Sequence, residues 1–88
     1  MSWEVQFSPA ALRSLDRLPP RIAAAVVEFT TATLPQNPER MSKPLRDELN
    51  GLRSARRGDY RVLFSLDHER GVLLVIRLAH RADAFRPR

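Results

Sequence analysis

Tyr60-Arg61-Val62-Leu63-Phe64-Ser65-Leu66, then Asp67 to Gly71, then Val72-Leu73-Leu74-Val75-Ile76-Arg77-Leu78, is the stretch that decides the fold. Both flanking runs are rich in Val, Leu, Ile, Tyr and Phe, the residues that fit a pleated, half-buried surface. The five residues between them are polar and end in glycine, as a hairpin loop does. Working back from Tyr60, Gly58-Asp59 reads as a tight turn. Leu52 to Arg57 reads as a third strand before it. The three strands predict an antiparallel meander. With Asp67–Gly71 as the loop, Leu66 faces Val72. That register sets Phe64 against Leu74, Val62 against Ile76, and Arg61 against Arg77.

Further upstream the pattern changes. Gln36 to Leu49 is polar and reads as irregular, with a turn at Lys43-Pro44-Leu45. Arg21 to Leu34 has helical spacing, with Ile22, Val26, Phe29 and Thr33 as its buried stripe and Ala25 alongside. Pro35 stops it. Pro19-Pro20 separates it from a first helix that opens at Ser8-Pro9, where serine caps the free N–H groups and proline suits the first helical position. Ala11, Leu12, Leu15 and Leu18 form its apolar stripe. At the start, Trp3, Val5 and Phe7 alternate with Glu4 and Gln6, the period of a half-buried strand. This strand joins either the edge or the middle of the meander. The order β-α-α-β-β-β segregates helices from strands, so the expected class is α+β: a curved antiparallel sheet with an N-terminal helical hairpin packed on one face.

The chain has 88 residues, short enough for one domain spanning 1–88. It has no cysteine, hence no disulfide staple and no thiolate metal ligand. No stretch reads as a membrane span or a signal peptide, and the expected location is the cytoplasm. The net charge is +5, and it is unevenly placed. Met1 to Arg40 carries four basic and four acidic residues; Met41 to Arg88 carries eleven basic and six acidic ones. All fifteen basic residues except Lys43 are arginine. Guanidinium groups present a planar fork that matches phosphate in two-point contact. The neutral half therefore reads as scaffold and the basic half as the part that meets an anion. Solvated arginines on a free sheet face account equally well for the spacing.

Arg61 and Arg77, opposed across the expected hairpin, would repel each other unless an anion lay between them. Arg53, Arg56 and Arg57 lie on the preceding strand, and Arg81 follows the last one. His80-Arg81 and Phe85-Arg86 make a second cluster. Histidine can exchange a proton near neutral pH, and Phe85 can stack on a base. There is no glycine-rich phosphate loop, no Ser-His-Asp spacing and no metal-ligand cluster, so no cofactor is expected.

Three segments together resemble the RelE/ParE toxin superfamily. They are Phe7-Ser8-Pro9-Ala10-Ala11 through Leu18-Pro19, Leu45-Arg46 through Gly58-Asp59-Tyr60-Arg61-Val62-Leu63-Phe64, and Val75-Ile76-Arg77-Leu78-Ala79-His80-Arg81 through Phe85-Arg86. The resemblance implies the same strand and helix order. It also implies the RelE kind of activity: cleavage of messenger RNA in the ribosomal A site by attack of the 2′-hydroxyl, without metal, which inhibits translation. A cognate antitoxin that neutralises the toxin is implied as a partner, along with the ribosome and its mRNA. Arg61 and Arg81 then contact the phosphate, and Arg53, Arg56, Arg57, Arg77 and Phe85 hold RNA. RelE-like members commonly carry a tyrosine where this chain has Phe85, which lacks a hydroxyl and turns attention to His80 for proton transfer. Two other readings stay open: a ParE-like inhibitor of DNA gyrase that cuts nothing, and a non-catalytic nucleic-acid-binding module.

Overall fold

The computed structural model describes residues 3–80. Its strands are β1 (Glu4–Phe7), β2 (Ser42–Pro44), β3 (Arg53–Arg57), β4 (Tyr60–Asp67) and β5 (Val72–His80), and its helices are α1 (Pro9–Arg17) and α2 (Pro20–Glu28). The fold is α+β, as expected. The sheet has the order β1-β5-β4-β3-β2. The meander β3-β4-β5 is antiparallel as expected, but β1 closes its β5 edge in parallel, so the sheet is mixed and not wholly antiparallel. Among the described residues no helix is long and apolar enough to cross a membrane.

The helices form where the sequence signals place them. Ser8 caps α1, its Oγ accepting from the Ala11 N–H at 3.1 Å, and Pro9 occupies the first helical position. Pro20 opens α2 in the same way. Both helices lie on one face of the sheet. Ala11 of α1 and Val26 of α2 share one buried cluster with Ala55, Val62, Phe64, Leu73 and Val75 of the strands. Trp3, Val5 and Phe7 of the first segment pack against that cluster.

Three further expectations are corrected. The α-helical part of the second helix stops at Glu28, and a wider π turn follows over Phe29–Thr33. The extra width shifts the stripe, so Thr30 is fully buried and Thr33 is exposed. The Thr30 hydroxyl is satisfied by donating to the Val26 and Val27 carbonyls, at 3.0 Å each. Secondly, Ser42–Pro44 is not a turn but a short strand paired to β3. Propensity missed it because the strand is only three residues long, ends in a proline tolerated only at a sheet edge, and is held by a single ladder neighbour, β3.

The third correction is the β4–β5 register. Leu66 pairs with Leu73 and Phe64 with Val75; then one residue, Ile76, is passed over, so that Leu63 pairs with Arg77, Val62 with Leu78, Arg61 with Ala79 and Tyr60 with His80. This β-bulge inserts one residue on β5. The register also differs before the bulge, because Asp67 belongs to β4 and pairs with Val72 instead of opening the loop; the two shifts together place Arg61 opposite Ala79 and not opposite Arg77. The bulge carbonyl of Ile76 accepts from the Ser8 Oγ at 2.5 Å, and the Val75 carbonyl accepts from the Ser8 N–H at 2.8 Å. The serine that caps α1 thus also fastens the irregular point of the sheet.

Candidate functional site

Strand alternation assigns each residue of the meander to a face. Ala55, Val62, Phe64, Leu73, Val75 and Leu78 point to the helices and form the core. Their alternates face away: Ser54 and Arg56 on β3, Arg61 and Leu63 on β4, Arg77 and Ala79 on β5. Lys43 of β2 joins them because its ladder partner is Ser54. Burial supports the division. Leu63 and Ala79 are only 4% and 7% exposed, yet neither belongs to the core cluster under the helices.

The rows across this face follow from the register. One row reads Lys43, Ser54, Leu63, Arg77, and the next reads Arg56, Arg61, Ala79. Arg61 stands directly opposite Arg56 on one side and diagonal to Arg77 on the other. Four cations from four strands thus rim a floor of serine, leucine and alanine. Like charges directly opposed across a sheet weaken it, so the arrangement is one that an anion would stabilise.

Hydrogen bonding sharpens the point. The Arg61 Nε and the Ser54 Oγ are both buried and have no hydrogen-bond partner among the described residues. Buried polar atoms without partners are rare and costly. These two belong to diagonal neighbours, typically about 7–8 Å apart at Cα. One is an N–H donor, and the other can donate or accept. An oxyanion seated between them would satisfy both. Arg56 is tethered by its Nε to the Gly58 carbonyl at 3.2 Å. Gly58 itself has φ +61°, which the two-residue turn needs and a Cβ would strain. Lys43 and Arg77 are exposed, with no hydrogen bond or ion pair to any described residue.

Other residues singled out in the sequence lie elsewhere. Arg53 faces the helical side and is bound into the scaffold. Its Nε donates to the Ser42 Oγ at 2.7 Å, and its Nη2 to the carbonyls of Glu39 at 2.9 Å and Ser42 at 3.3 Å. Arg57 pairs with Tyr60, and Tyr60 with His80, so all three sit on the face opposite Arg61. The His80 and Tyr60 rings meet edge to face, with centroids 5.2 Å apart. The structure thus brings Arg56, Arg61 and Arg77 together and separates Arg53, Arg57 and His80 from them. Arg81 and Phe85 lie outside the described residues. Lys43 and Ser54 are the residues that sequence reasoning missed. The signal for Ser54 is slight, since its importance arises from burial. Lys43 was visible as the only lysine among fourteen arginines. Among the described residues no three of His, Asp and Glu stand together in a way that could hold a metal ion.

A small α+β fold whose helix-free sheet face gathers arginines from neighbouring strands defines a class of small proteins with one basic sheet face, a face whose donors and charge suit an anion. Its kin can be stated more closely. The family of ParE toxins of type II toxin–antitoxin systems, parDE, matches residues 5–85, and the chain belongs to that RelE/ParE toxin superfamily. It is 50% identical over 86 residues to the toxin RelG of Mycobacterium tuberculosis, covering 98% of this chain and 99% of that one. It is 46% identical over 84 residues to the toxin RelE of the same organism, covering 96% and 87%. Among solved structures it resembles the toxin–antitoxin complex RelBE2 from M. tuberculosis, with a TM-score of 0.88 and 48% identity over 92% of this chain and all of that one.

Proposed function

We propose that this toxin is a ribosome-dependent endoribonuclease that cuts mRNA in the A site and so inhibits translation. The observation that carries the reading is the shared face of Arg56, Arg61 and Arg77, centred on an Arg61 Nε that is buried without a partner among the described residues. In the proposed reaction the 2′-hydroxyl attacks the adjacent phosphate. The phosphorane that forms carries added negative charge, and a preorganised donor aimed at such charge is worth roughly 10²–10³ in rate. A guanidinium holds its proton too tightly to act as a base. Arg61, with Arg81 by family resemblance, is therefore assigned to the phosphate, and Arg56 and Arg77 to the flanking RNA. Arg53 is left to the scaffold. His80, stacked on Tyr60 behind the sheet, is left out of the grip.

A cognate antitoxin belongs to the same proposal. The relative solved as RelBE2 is a toxin–antitoxin complex, which supports an antitoxin partner for this chain.

A translating extract tests the reading. The wild type should produce codon-linked cuts in mRNA, and Arg61→Ala should reduce their rate by about 10²–10³ while remaining folded. Normal cutting by Arg61→Ala would overturn the site. One observation favours a second reading: the matching family is described as ParE. A gyrase inhibitor would leave mRNA intact and raise a DNA-damage response on expression, so the two readings separate in one experiment.

A further inference from the structure

Metal-free cleavage of RNA requires a proton for the departing 5′-oxygen, and the sequence candidate for that task, His80, lies on the other side of the sheet. The described residues that share a face with the Arg61 Nε and the Ser54 Oγ narrow the choice. Within the two central rows they are Lys43, Ser54, Arg56, Arg61, Leu63, Arg77 and Ala79. Lys43 is the only one that is ionisable and not an arginine. The same face carries Asp67 and Glu4, but six residues along β4 put Asp67 about 20 Å from Arg61 at ~3.3 Å per residue. Asp59 lies in the adjoining turn, where it has an interaction of its own. A carboxylate accepts hydrogen bonds and has no proton to give.

Position favours Lys43 as well. Its ladder partner is Ser54, so its Cα lies two strands and two residues from that of Arg61, roughly 12 Å away at ordinary sheet spacings. A phosphate seated between Ser54 and Arg61 falls between the two extended side chains. An ammonium on a flexible four-carbon stem can reach it and can give up a proton, which a guanidinium does not readily do.

We infer that Lys43 is the proton donor to the leaving 5′-oxygen, with the Ser54 Oγ and the Arg61 Nε holding the phosphate beside it. The inference rests on the nuclease reading above. The 2′-oxygen forms its bond to phosphorus and loses its proton to water. The bond from phosphorus to the 5′-oxygen breaks, and that oxygen takes a proton from the Lys43 Nζ. The products are a 2′,3′-cyclic phosphate and a free 5′-hydroxyl, and water restores the lysine's proton.

The test uses ribosomes programmed with two mRNAs, in single-turnover reactions of wild type, Lys43→Ala and Lys43→Arg. One mRNA has the natural linkage. The other has sulfur in place of the bridging 5′-oxygen at the cleaved position, a leaving group that departs without a proton. On the natural linkage both variants should be slower by about 10²–10⁴. On the sulfur linkage both should match the wild type. Restoration of the natural rate by Lys43→Arg would reduce Lys43 to a fixed charge and overturn the inference. An equal loss on both linkages would overturn it too, by making Lys43 a substrate holder. A wild type that cuts neither mRNA would remove the nuclease reading itself. Lys43 is exposed, so neither substitution should disturb the fold, and Trp3 fluorescence verifies this.

Discussion

Ser8 performs two tasks with one hydroxyl, and removing that hydroxyl measures both. In Ser8→Ala the α1 N-terminus loses the cap on the Ala11 N–H, which typically costs about 1 kcal/mol. The Ile76 carbonyl at the bulge loses its 2.5 Å donor, at roughly 0.5–1.5 kcal/mol more. The expected destabilisation is about 2 kcal/mol. In a chain of 88 residues that lowers Tm by about 8–16 °C, at roughly 4–8 °C per kcal/mol. Urea and thermal unfolding can be followed through Trp3, the only tryptophan, which packs against the core. Ser8→Gly separates the two contributions, because glycine keeps most of the capping preference and still loses the bond to Ile76. Its loss should be about half that of Ser8→Ala. A Ser8→Ala protein within about 0.5 kcal/mol of wild type, the ordinary range for a surface change, would refute the reasoning.

Other outcomes follow from the same geometry. His80→Ala should slow mRNA cutting by less than about tenfold, far short of the roughly 10²–10⁴ that a proton-transfer group supplies; a larger loss, with the fold retained, would return His80 to the site. Arg53→Ala should destabilise the protein by about 1–2 kcal/mol, since three hydrogen bonds to Ser42 and Glu39 disappear from a half-exposed side chain. Amide exchange should then quicken at Ser42 to Leu45, which Arg53 fastens to β3. Arg77→Ala should weaken binding to single-stranded RNA and flatten the log–log salt dependence by about 0.7, the contribution of one phosphate contact. An unchanged slope would place Arg77 away from the RNA backbone.

Local chemistry alone settled much of this molecule. The alternation Trp3-Val5-Phe7, the cap at Ser8-Pro9, the break at Pro19-Pro20 and the turn at Gly58-Asp59 each act over a few residues, so each is legible in the chain and each appears in the fold. The arginine-rich second half was legible too, as a demand for an anion. What the sequence could not decide was which arginines meet. A strand turns its side chains to opposite faces with a period of two, so passing over one residue exchanges the faces of everything beyond it. Had the pairing of Phe64 with Val75 continued without a bulge, Val62 would face Arg77, and a guanidinium would sit in the core. Skipping Ile76 instead sends Leu78 inward, turns Arg77 out to join Arg56 and Arg61, and carries His80 to the far side with Tyr60. That choice is made by the burial of Leu78 and by a hydroxyl 68 residues away at Ser8, contacts that exist only once the chain is folded.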